Sequence, residues 1–257
     1  MSEPLVAALL AAVVAALGGL LAPRMIARLP EPEEGRAPDD TGERARGEDD
    51  SPVPDADAVA PPVPAKVPYA ELAARPHLPA ALAVASAAFA GAVGGRLGLD
   101  PALPLWVAVT VLGVTLSYVD WHTRLLPKRL VLPAYPVVLA LALLAALLGR
   151  DTDVLLRVGV GWLVLSGAYA LLWIVSPRGI GYGDVRLSGI LAIALATLGW
   201  AELIVGGYAG FVLGAVGGVA LAALGLVDRK AFPFGPFMML GAWAGALWGS
   251  VLLRPWG

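Results

Sequence analysis

Residues 179–200 read GIGYGDVRLSGILAIALATLGW, a glycine-rich approach to one carboxylate, Asp184, placed where a long apolar helix begins. An ionisable side chain at the end of a membrane helix is costly and marks a functional site by default. Gly181 and Gly183 have no side chains, so a substrate strand or a second helix can come close to Asp184. Asp is also favoured at helix starts, and glycines commonly precede helices, so the stretch reads equally well as an ordinary cap. A second acidic residue at the same depth decides between the two readings, because paired carboxylates divide acid and base work.

The chain around this stretch is too apolar for a soluble domain: its 257 residues are 58% hydrophobic with a mean hydropathy of +0.77, against an apolar share of about half in soluble proteins. An all-α, polytopic membrane helix bundle follows. Apolar runs at 4–21, 80–93, 103–119, 130–148, 154–175, 187–200, 203–227 and 237–253 predict about eight transmembrane helices, since a span needs roughly 17 to 25 such residues. Glycines inside these runs read as packing faces. Between the first two runs, residues 30–79 carry twelve Asp or Glu, five Lys or Arg and eleven Pro, a composition that predicts a disordered loop. The chain therefore divides into a first helix within 1–29, an acidic, proline-rich cytoplasmic loop over 30–79 and a membrane-embedded domain over 80–257.

A net charge of -2 gives no electrostatic footprint for nucleic acid. The absence of cysteine excludes disulfides, thiolate metal sites and a cysteine nucleophile. His77 and His122 are the only histidines, too few for a His-rich metal site, and no cofactor is expected.

Basic residues gather on the cytoplasmic side of membrane proteins. With the N-terminus outside, only Arg96, Arg150, Arg157 and Arg254 among the 18 basic residues fall on the outer side, so the alternation of eight helices is self-consistent. Arg157, just inside its helix, reads as snorkelling to the surface. The third helix then ends at Ser117-Tyr118-Val119-Asp120 on the side where the sixth begins at Asp184. Asp228, the other acid at an inward-facing end in this half, sits beside Arg229 and Lys230 in a polar junction. Helix dipoles favour negative charge at N-termini over C-termini, which assigns Asp184 to the base and Asp120 to the acid of a jointly titrating pair.

The segment Val119-Asp120-Trp121-His122-Thr123-Arg124-Leu125-Leu126-Pro127 resembles the first-aspartate segment of type IV prepilin peptidases. Gly179 to Leu187 resembles the family's Gly-x-Gly-Asp motif, and Phe232-Pro233-Phe234-Gly235-Pro236-Phe237 its Pro-Phe-Gly-Pro segment. Ile26-Ala27-Arg28-Leu29-Pro30 is a weaker echo after the first helix. The resemblance implies an aspartic endopeptidase of the bacterial inner membrane with Asp120 and Asp184 as its catalytic pair. It would remove the basic leader of pilin or pseudopilin precursors at the cytoplasmic face, just before the precursor's apolar helix. Gly181, Tyr182, Gly183, Pro127, Pro233, Phe234, Gly235 and Pro236 would support the site, Tyr182 reading also as an interfacial anchor. Long members carry two cysteine pairs after the first helix and methylate the new N-terminus. This chain has no cysteine, and Gly18-Gly19-Leu20-Leu21-Ala22-Pro23 replaces the family's Gly-Ser-Phe-Leu-Asn run, so the resemblance implies a peptidase without a zinc domain and leaves methyl transfer open.

Two other readings stay open. A presenilin-like intramembrane protease also pairs a Gly-x-Gly-Asp with a nearby Tyr, and a proton-coupled transporter uses membrane carboxylates as proton sites.

Overall fold

The computed structural model describes residues 2–31, 67–176, 179–225 and 232–253. Among them nine helices follow in order: α1 (Glu3–Ala27), α2 (Tyr69–Ala73), α3 (Leu78–Leu97), α4 (Leu103–Thr123), α5 (Lys128–Gly149), α6 (Asp153–Val175), α7 (Tyr182–Leu198), α8 (Trp200–Ala223) and α9 (Gly235–Leu253). No strand occurs among the described residues. Seven of the helices, all but α2 and α7, are long and apolar enough to cross a membrane. The molecule is a polytopic all-α membrane bundle.

The eighth expected span, α7, has 17 residues and a length of about 26 Å at the helical rise, slightly less than a hydrocarbon core of about 30 Å. It makes up for this by position. Every residue from 187 to 197 is buried, and α7 touches α4, α5, α6, α8 and α9. A helix that is apolar all round belongs inside a bundle, and the Ile190-Leu191-Ala192-Ile193-Ala194-Leu195 run fills that place. Peripheral helices instead turn large apolar side chains outward, among them Leu156, Leu163 and Val219. Such side chains are the normal lining of a lipid-facing surface.

Arg157 does more than snorkel. Its Nε donates to the Ala196 carbonyl at 2.6 Å and its Nη2 to the Thr197 carbonyl at 3.3 Å, which holds a cation against the last turn of α7. Carbonyls there lack intrahelical donors and carry the negative end of the helix dipole, so Arg157 fixes the end of α7 opposite Asp184.

Of the expected loop over 30–79, residues 32–66 lie outside the described residues, and the remainder is partly helical. Within α2, Tyr69 and Leu72 are buried, and the Glu31 carboxylate accepts the Tyr69 and Ala70 N–H groups at 2.9 and 3.1 Å. The Tyr118 hydroxyl reaches the Leu72 carbonyl at 3.4 Å, and Arg75 Nη1 meets His122 Nε2 at 2.8 Å. Residues 67–79 thus strap the C-terminal end of α4, where burial pushes the Tyr69 phenol up against a hydrogen bond with Thr123. Composition averaged over fifty residues conceals one short apolar cluster, Tyr69, Leu72 and Leu78, which suffices to order this part.

Candidate active site

Asp120 lies in the last turn of α4, 5% exposed. The helix stops just beyond it because Arg124 turns left-handed, φ 55°, and the chain then passes through Leu125 and Leu126 to Pro127. With φ -64° and no N–H to satisfy, Pro127 precedes the first residue of α5. Across the bundle, Asp184 is the third residue of α7 and 8% exposed. The ends of α4, α7 and α9 meet here, so two acids 64 positions apart in sequence share one end of the bundle.

Each carboxylate is held by one backbone amide. Gly235 N–H donates to Asp120 Oδ2 at 2.9 Å in a buried setting, and Gly181 N–H donates to Asp184 Oδ2 at 3.1 Å. In return Asp184 N–H donates to the Gly181 carbonyl at 3.0 Å. Asp184 therefore closes the first turn of its own helix from inside, with Gly181 as the residue that precedes it. The capping reading and the chemical reading apply to the same side chain.

Two glycines make the approach possible. A Cβ on Gly235 would stand 2.9 Å from Asp120 Oδ2, and one on Gly183 would stand 2.8 Å from Leu126 Cβ. Leu126 also lies 3.5 Å from the Cβ position of Gly235, so one leucine from the α4–α5 junction touches both glycine-bearing segments. The sequence places it within the first-aspartate segment, before Pro127, without assigning it a role.

The remaining expected residues divide. Pro233 is buried, Phe234 half-buried, and Pro236 stands at the second position of α9, so this segment delivers the Gly235 amide to Asp120. Phe234 packs against Tyr169 and Phe211, ring centroids 6.2 and 6.1 Å away. Tyr182 points elsewhere: its ring lies 5.1 Å from that of Trp173, with the Arg186 guanidinium 4.3 Å over its face. That cluster fits an interfacial anchor. Asp228, Arg229 and Lys230 lie outside the described residues. Among the described residues no group of three or more His, Asp or Glu side chains offers a metal-ligand set.

Residues 106–221 match the model of the type IV leader peptidase family. The chain is 32% identical to the prepilin leader peptidase/N-methyltransferase of Aeromonas hydrophila over 200 residues, 75% of this chain and 62% of that protein. For the proteins of the same name from Aeromonas salmonicida strain A449 and Dichelobacter nodosus, the figures are 32% and 30% identity. Those alignments span 55% and 53% of this chain but 48% and 46% of the relatives. The chain thus spans about half to three-fifths of the curated relatives it matches. No solved structure matches it significantly.

Proposed function

We propose, from the premise that residues 106–221 are a type IV leader peptidase segment, that the chain is an aspartic endopeptidase that removes the basic leader from pilin or pseudopilin precursors. The observation that carries this reading is the meeting of Asp120 and Asp184, each on one backbone N–H, at a shared end of the bundle. One carboxylate takes a proton from a water whose oxygen attacks the scissile carbonyl. The other, protonated, hydrogen-bonds the developing oxyanion and then gives its proton to the leaving nitrogen. Water is consumed and one carboxyl and one amine are released, so the pair ends with the protons it began with.

The supporting roles follow from position. Gly183 and Gly235 leave room at the carboxylates, Leu126 and Phe234 wall the site, and Pro127, Pro233 and Pro236 hold the turns. Gly181 and Tyr182 shape and anchor the start of α7. The basic residues at the junctions on this side, among them Arg124, Lys128 and Arg129, support a cytoplasmic site in the inner membrane. Methyl transfer stays open: the cysteine pairs of the long family members have no counterpart in this chain.

The experiment is to place the purified protein in liposomes with a precursor that carries a basic leader and to weigh the products. A single cut before the apolar helix supports the assignment. Proton-driven uptake without any cut would replace it with the transporter reading.

A further inference from the structure

Away from the aspartate pair, α1 and α4 leave between them a groove of about 520 Å³ that Leu130 of α5 meets at one end. It starts at Leu10 and Leu103 and follows both helices to Met25 and Leu130, at the end of the bundle where Asp120 lies. Leu10, Val14 and Met25 are about half exposed, so the groove opens sideways to the bilayer. At Gly18 the two helices close its floor, since a Cβ there would stand 2.9 Å from Val111. Thr115 carries the one polar side chain in the lining, and its hydroxyl donates to the Val111 carbonyl at 2.7 Å. The lining therefore offers shape and no side-chain hydrogen bond.

Width and charge select the occupant. From Leu10 to Met25 the helical rise covers about 22 Å, and 520 Å³ spread over that length leaves a section of about 23 Å². A whole helix, about 10–12 Å across, needs roughly 80–110 Å², so the groove takes a single hydrocarbon chain. Lipid tails are as apolar as leucine, so a tail gains little by moving from bilayer to groove, and preference is set at its head. Exposed cations stand at the Asp120 end: Arg24 beside Met25, Arg28 one turn beyond Met25 on the same face of α1, and Lys128 and Arg129 just before Leu130. The start of α5 has no side-chain cap, which leaves its first N–H groups to an anionic oxygen. A basic leader would meet like charge here, whereas a lipid phosphate meets opposite charge. We infer that the α1–α4 groove binds an anionic phospholipid, one acyl chain lying along Val14, Gly18 and Val111 and the phosphate held by Arg28 and Arg129. The lipid ties α1 to the α4–α5 junction that follows Asp120, whether or not the chain is a peptidase.

The test places the full chain in phosphatidylcholine nanodiscs doped with phosphatidylglycerol that carries a photoactivatable diazirine in its acyl chain, and locates the adducts by peptide mass spectrometry. The same diazirine on phosphatidylcholine is the comparison. Adducts are expected to concentrate on residues 10–25 and 103–115 and to be several times more abundant with the phosphatidylglycerol probe. Arg28→Gln combined with Arg129→Gln should lower their yield about tenfold or more, two surface cations at roughly fivefold each. Ala108→Phe, which fills the groove at a lining position, should remove them with either head group. Equal labelling by the two probes, labelling spread evenly over the lipid-facing helices, or displacement by a leader-bearing precursor but not by unlabelled phosphatidylglycerol overturns the inference. The two probes compared on wild type decide it even where a variant fails to fold.

Discussion

Substituting Gly235→Ala tests the contact made on the Asp120 carboxylate itself. The new Cβ would lie 2.9 Å from Asp120 Oδ2, 3.4 Å from its Cγ and 3.5 Å from Leu126 Cδ2. The first distance is shorter than an ordinary carbon–oxygen contact, so the Asp120 carboxylate must move by several tenths of an ångström. The same movement lengthens the 2.9 Å bond from Gly235 N–H. A hydrogen bond to a charged group contributes about 1.5–3 kcal/mol, which corresponds to roughly ten- to a hundredfold in rate. The assay is single-turnover cleavage of a leader-bearing precursor in liposomes, with Gly159→Ala as the control, because a Cβ at Gly159 meets nothing within 4 Å. The reasoning predicts a loss in the chemical step with substrate affinity retained. Gly235→Ala cleavage within twofold of wild type, with Gly159→Ala equal to it, would refute the claim that this amide sets Asp120.

Gly183→Ala forces Leu126 aside from a 2.8 Å approach, so cleavage is expected to fall about five- to 150-fold, the rate equivalent of an overpacking cost of about 1–3 kcal/mol. Rates measured beside those of Gly159→Ala check this. Arg157→Leu removes both donors from the last carbonyls of α7 and is expected to cost about 1–2 kcal/mol of stability. Thermal unfolding in nanodiscs reads this cost, and residual activity at low temperature should survive. Glu31→Ala leaves the Tyr69 and Ala70 N–H groups without their carboxylate. At roughly 1 kcal/mol for such a cap, amide exchange at 69–73 should quicken severalfold while that of α7 does not change.

Both aspartates were legible in sequence because each ends or begins an apolar run and carries family spacing around it. The helices were legible for the same reason, since continuous apolar runs interrupted by polar junctions leave few alternatives in a bilayer. What sequence could not supply was which face each helix turns to its neighbours. The Leu187 to Trp200 run looked like a short span, whereas burial of 187 to 197 makes α7 the helix the others surround. Arg157 was assigned to water because a charge near a helix end usually snorkels, and its partners lie about 40 positions away, at Ala196 and Thr197. Glu31, Tyr69 and Leu72 were absorbed into a loop by average composition, although the strap depends on a few local contacts.

The most direct measurement is cleavage of a leader-bearing precursor in membranes by wild type, Asp120→Asn and Asp184→Asn at equal expression. Asn keeps the size and one acceptor oxygen of each side chain but cannot exchange the proton, so folding should survive and chemistry should not. The account predicts that wild type removes the leader and that each variant loses about 10²–10⁴ in rate, the contribution of a positioned general acid or base. Either variant cutting at a rate near that of wild type would contradict the two-carboxylate mechanism and return that aspartate to the role of a helix cap.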